Sequence, residues 1–116
     1  MILTGKAKED FENWYSKEKP EGHWYSMVNF YGLVDSMQYG VYVDYFASVG
    51  LDISQTVNWY GFENGTHKTK HQFSILYVDY KNPALCSVCD DFSDIVEARN
   101  QAIDKANEIR NEQLKE

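Results

Sequence analysis

Leu51-Asp52-Ile53-Ser54-Gln55-Thr56-Val57-Asn58-Trp59-Tyr60-Gly61-Phe62-Glu63-Asn64-Gly65-Thr66 decides the fold. Leu51, Ile53 and Val57 open a β-prone run that continues through Trp59, Tyr60 and Phe62. The run ends at Asn64-Gly65, a pair in which both residues tolerate positive φ and which is the strongest short hairpin signal. Beyond it, Gln72 to Tyr80 is rich in Phe, Ile, Tyr and Val and reads as the returning strand, broken by Asn82-Pro83. Asn64-Gly65-Thr66 also matches a glycosylation acceptor. Without a secretion signal the turn reading is preferred.

Helices flank this hairpin. On the N-terminal side Thr4 suits a helix N-cap, and Ala7, Phe11, Trp14 and Tyr15 fall at helical spacing before Pro20 and Gly22. His23 to Val34 is aromatic without a clean period, fitting a short helix or an irregular packed segment equally. Asp35-Ser36 starts a second helix with Met37, Val41, Tyr45 and Val49 in one stripe, Tyr42 and Phe46 beside it, and Gly50 just past its end. Gly40 within it costs up to ~1 kcal/mol relative to Ala, which suggests a close approach of another element. Toward the C-terminus, Ser93 to Leu114 predicts a long helix with Ile95, Ala98, Ala102, Ala106 and Ile109 as its apolar stripe. Asp90, Asp91 and Asp94 would favour its positive end. The expected fold is therefore α+β over residues 1–116 as one domain: two or three N-terminal helices, a hairpin or small antiparallel sheet, and a long C-terminal helix.

Composition narrows the class of function. The 116 residues carry 18 acidic against 11 basic side chains, a net charge of −7, with 43% apolar and 16% aromatic residues. Such a chain can bury a core and is not disordered. No apolar run is long enough for a membrane span, and Met1 to Lys6 lacks a signal-peptide core, so a cytoplasmic protein is expected. From His23 to Gly65 there is no Lys or Arg, while Asp35, Asp44, Asp52 and Glu63 lie there with 11 of the 18 aromatics. Trp24, Tyr25, Tyr39, Tyr42, Tyr45, Phe46, Trp59 and Tyr60 are among them. Platforms for single-stranded nucleic acid set aromatics beside cations. Their absence from this stretch argues against direct nucleic-acid binding. Most rings are expected in the core, with a few held at the surface as anchors for a protein partner.

Other chemistry is sparse. Cys86-Ser87-Val88-Cys89 with His67 and His71 upstream has the ligand types for zinc, but four residues along a strand separate those histidines by roughly 13 Å. Two reduced cysteines packing a loop before the last helix are preferred over a zinc site or a redox pair. With three histidines and no nucleophile elbow, zincin motif or phosphate loop, no enzyme, resident metal or cofactor is expected. His67-Lys68-Thr69-Lys70-His71 is the one basic cluster. It reads as an edge-strand guard against unwanted pairing before it reads as a phosphate contact.

Leu3-Thr4-Gly5-Lys6-Ala7-Lys8-Glu9-Asp10-Phe11-Glu12-Asn13-Trp14-Tyr15 resembles the opening of small proteins encoded by bacteriophages and prophages. Ser36-Met37-Gln38-Tyr39-Gly40-Val41-Tyr42-Val43-Asp44-Tyr45-Phe46-Ala47-Ser48-Val49-Gly50 resembles their central helix. Glu97-Ala98-Arg99, Ala102-Ile103-Asp104-Lys105-Ala106-Asn107-Glu108-Ile109 and Asn111 resemble the closing one. Within that group the chain looks like an anti-CRISPR inhibitor of the type VI-B RNA-guided ribonuclease effector. The resemblance implies a non-enzymatic binder of a CRISPR effector, or of another nucleic-acid-processing defence protein, in the cytoplasm of the host bacterium. The residues expected to meet that partner are Asp35, Asp44, Asp52, Trp59, Tyr60, Glu63, Asp94, Glu97, Asp104 and Glu108. The rival expectations are a phage structural or assembly protein acting as a homo-oligomer, and a small zinc-binding regulatory module.

Overall fold

The computed structural model describes residues 1–18, 27–79, 84–92 and 94–115. Of Glu18, Met27, Val28, Asp79 and 84–90 it describes the backbone. Helix α1 spans Gly5–Glu18, α2 Met27–Tyr31 and α3 Asp35–Ser48. Strands β1 (Asp52–Glu63), β2 (Thr66–Asp79) and β3 (Ala84–Phe92) precede helix α4 (Ile95–Gln113). The strands form one antiparallel sheet in the order β1-β2-β3. The α+β architecture is thus present, and the small sheet has three strands.

The turn signal works as its residues dictate. Asn64 and Gly65 take φ 52° and 78° between β1 and β2, the left-handed pair that a two-residue hairpin requires. The returning strand is longer than its sequence suggests, beginning at Thr66 rather than Gln72. The break at Asn82-Pro83, the helix stop at Pro20 and Gly22, and Trp24 and Tyr25 lie outside the described residues.

One element reverses its expectation. Positions 84–92, read as a loop carrying two cysteines, form β3, with Cys86 opposite Tyr77 and Cys89 opposite Ser74. Leu85, Val88 and Phe92 suit a strand, and β2 offers a full ladder of partners, so tertiary pairing decides. Asp90 and Asp91 stand on this strand, opposite Phe73 and Gln72, not at a helix start. Asp94 alone caps α4, accepting from the Val96 amide at 2.9 Å.

The core is built mainly from rings. Phe11 on α1 is fully buried, with centroids 4.9 Å from Tyr42, 5.1 Å from Phe30 and 5.3 Å from Tyr45. Ala98, Ala102, Ile103, Ala106 and Ile109 give α4 its buried stripe, close to that expected. On the sheet, Phe73 and Ile75 are buried, with Ile53 and Tyr77 packed beside them, so the helices cover this one face. Ser54, Ser74, Leu76 and Val78 lie on the other. Among the described residues no helix is long and apolar enough to cross a membrane.

On α3 the buried stripe is shifted by one position. Gln38, Tyr42, Tyr45 and Phe46 face inward, whereas Met37 is exposed. Gln38 is buried because its Nε2 donates to the carbonyls of Phe30, Tyr31 and Leu33, at and just past the end of α2. Gly40 is exposed, and an added Cβ would meet nothing within 4 Å, so no close approach accounts for it. Gly40→Ala is therefore expected to stabilise the fold by up to ~1 kcal/mol, read as a higher urea midpoint.

The chain ends are tied to each other. Asn107 Nδ2 donates to the Thr4 hydroxyl, and Asn111 Oδ1 accepts from the Ala7 amide at 2.8 Å. The first turn of α1 is thus capped from α4, while the Thr4 side chain pairs with Asn107. A second tie joins three helices. Tyr45 OH donates to Asp10 Oδ2 at 2.6 Å, and Arg110 Nη2 donates to the same oxygen at 3.0 Å. Burial pushes the Asp10 carboxyl up, but the bonds from Tyr45 and Arg110, with the charges of Arg110 and Lys17, hold it below the ordinary aspartate value. A depressed folded value means this stabilisation is present above the unfolded carboxylate range and is lost as pH falls through the folded one. Asp10→Asn is expected to flatten the acid side of the stability profile below pH 4, checked by urea midpoints against pH.

Candidate functional site: an aromatic β-arm

β3 stops at Phe92, opposite His71 on β2, and His71 in turn faces Val57 on β1. Beyond that rung β1 and β2 continue as a two-stranded ribbon to the Asn64-Gly65 turn. This arm stretches the molecule to 50 × 39 × 19 Å and its radius of gyration to 16.0 Å, where a compact chain of about 100 residues has about 13 Å.

The arm carries large apolar side chains into solvent. Trp59 is 60% exposed, Tyr60 53%, Phe62 65% and Val57 57%. Val57 and Trp59 share one face of the ribbon, and Tyr60 lies on the other.

Local backbone geometry assembles the group. Trp59 pairs with Thr69 and Phe62 with His67, so β1 advances three residues where β2 advances two. Gly61, at φ 102°, sits in this bulge. In a regular strand, residues three apart lie on opposite faces. The extra residue brings Phe62 round to the Trp59 side, where the two rings meet edge-to-face at 5.7 Å. His67 closes the cluster, 4.6 Å from Phe62 and accepting a hydrogen bond from Trp59 Nε1 at its Nδ1, 3.1 Å away. Tyr60 lies beneath Lys70, whose Nζ is 5.4 Å from the ring centroid. Lys68 pairs with Glu63 at 3.1 Å, an exposed contact worth at most about 1 kcal/mol.

The ten residues singled out by sequence thus divide. Trp59, Tyr60 and Glu63 come together on the arm. Glu97, Asp104 and Glu108 share one exposed stripe of α4. Asp104 and Glu108 also line an open groove of about 600 Å³ with Ile2, Thr4, Phe73 and Lys105, and Lys105 is ion-paired to Glu108 at 3.2 Å. Asp94 is spent as the α4 cap. Asp35, Asp44 and Asp52 are exposed on α3 and at the start of β1, apart from the arm's rings in the fold. Phe62 is the residue that sequence reasoning missed; the clue was Gly61, three positions before a hairpin turn.

The remaining rings of the aromatic stretch behave as core. Tyr42, Tyr45 and Phe46 are fully buried, and Tyr39 is half-buried under Arg99. Burial pushes the Tyr42 hydroxyl up to about 12, with the Leu3 backbone bond opposing the rise and the Glu12 carboxylate adding to it. Among the described residues no group of three or more His, Cys, Asp or Glu stands close enough to hold a metal ion. The cluster His67 to His71 has mixed strand status: β2 is central from His71 onward, and over 66–70 only β1 pairs with it.

Compared with profiles of protein families, with curated proteins and with solved structures, the chain matches none.

Proposed function

We propose that this protein is a phage-encoded inhibitor that acts by occupancy on a host defence protein, most specifically the type VI-B RNA-guided ribonuclease effector, without making or breaking bonds. The observation that carries this reading is the arm. Trp59, Tyr60 and Phe62 are projected from the body on a ribbon that buries none of them, which is the arrangement of an interface anchor. The exposed acidic stripe of α4, Glu97, Asp104 and Glu108, supplies the second part. A carboxylate-lined face is steered toward the Lys- and Arg-lined channels in which nucleases hold their nucleic acid, raising the association rate and making it salt-sensitive.

The test is a purified type VI-B effector loaded with its guide RNA, mixed with the protein, then assayed for co-elution and for cleavage of a target RNA. A stable complex with reduced cleavage is expected. Undiminished cleavage with no complex removes the proposal.

A further inference from the structure

We infer that β1 is a dimerisation edge: two copies of this chain pair their β1 strands antiparallel, joining two three-stranded sheets into one of six strands. β1 is an outer strand of the sheet, and none of its residues is buried. Among the described residues, no backbone hydrogen bond reaches it from outside the sheet. One side of its backbone thus presents a row of N–H and C=O groups to which another strand can add.

Edge strands are ordinarily guarded by charge, by proline or by shortness. β1 has none of these over Ile53-Ser54-Gln55-Thr56-Val57-Asn58-Trp59, an uncharged run that pairs with β2 without interruption. The bulge between Trp59 and Phe62 is its one guard, and it lies outside that run. The opposite edge, β3, carries Asp90 and Asp91. The molecule is −7 overall, so a second copy is repelled from much of the surface. Along 53–59 two copies can meet with no carboxylate set against another.

The run is also complementary to itself, which singles out a second copy as the occupant. Opposite residues of an antiparallel pair point to the same face, so a two-fold axis perpendicular to the sheet must set one residue against its own counterpart. Centring that axis on Thr56 pairs the whole of 53–59. On one face Ile53 meets the second copy's Trp59 and Gln55 meets its Val57. On the other, Ser54 meets Asn58 and Thr56 meets Thr56, so that face is polar throughout. Aromatic with β-branched and Thr with Thr are both favourable cross-strand pairs. Helix α3 leads into β1 through 49–51. The antiparallel arrangement sets the two Asp52 positions eight residues apart along the ladder, roughly 27 Å, which keeps the two α3 ends clear of each other. Such an isologous contact closes on itself and leaves only the acidic β3 edges outermost.

This inference goes beyond the proposed function and is tested without the effector. Sedimentation velocity of the protein, from low to high micromolar concentration, is expected to show a mass rising from 13.5 kDa toward twice that value. Thr56→Lys sets a lysine against its own copy and is expected to weaken association about fivefold. Thr56→Glu should act likewise. An equimolar mixture of the two variants sets lysine against glutamate and is expected to associate at least as tightly as the parent, a rescue that a misfolded variant could not give.

A single-chain mass at every concentration, unchanged association in both charged variants, or a mixture no tighter than the variants alone would overturn the inference. Monomers whose 53–59 amides gain exchange protection only with the effector would assign the edge to that partner; the inference fails and the proposed function stands.

Discussion

Phe11→Ala is expected to cost about 3–5 kcal/mol of folding stability, the range for emptying a buried phenylalanine site. The side chain is fully buried and its ring touches those of Trp14, Tyr15, Phe30, Tyr42 and Tyr45, drawn from α1, α2 and α3. Aromatic neighbours are rigid and cannot collapse into the void, so the cavity term adds to the lost transfer energy. Small domains hold about 5–15 kcal/mol in total, and the loss corresponds to a fall in Tm of about 10–25 °C. Phe62→Ala removes the same atoms from an exposed site and is expected to change stability by less than about 0.5 kcal/mol. Denaturant titration of the two variants, followed by circular dichroism, checks the contrast. A loss under 1 kcal/mol at Phe11 would mean that the ring cluster does not organise the core.

The second large effect falls on binding. Trp59→Ala with Phe62→Ala is expected to weaken the complex with the effector at least 100-fold, while the fold and its melting temperature stay those of the parent. Trp is a residue of hot-spot type, Phe is enriched at interfaces, and loss of one hot-spot anchor typically costs at least about 2 kcal/mol. Because the two rings touch, the single variants will not sum to the double. Isothermal titration or surface capture with the purified effector measures it. A double variant that binds as the parent does would remove the arm from the account.

Much of the scaffold was legible because its signals are local. Asp35 and Gly50 bracket α3, Asn64-Gly65 fixes the turn, and the alanine-rich stripe of 98–109 fixes α4; each depends on residues within a turn or two of one another. What escaped depends on partners distant in sequence. The 84–92 segment is a strand because β2 pairs with it along its length. Gln38 displaces Met37 from the buried side of α3 because its amide bonds three carbonyls at and just past the end of α2. Since α3 bears apolar residues around most of its surface, periodicity could not choose between neighbouring stripes.

The candidate site was half legible for the same reason. Trp59 and Tyr60 were among the few rings expected at the surface, and the structure places both in solvent. Phe62 joins Trp59 through a bulge, a backbone feature with no side-chain periodicity to announce it. Lys70 reaches the Tyr60 ring only across the hairpin. A charge count taken along the chain does not show that contact, because it joins positions ten residues apart.

The most direct measurement is amide hydrogen exchange of the protein alone and in complex with the guide-loaded effector. Docking through the arm predicts new protection across residues 57–70, with the exchange of core helix α1 unchanged. Protection confined to other surfaces, with 57–70 exchanging as in the free protein, would contradict it.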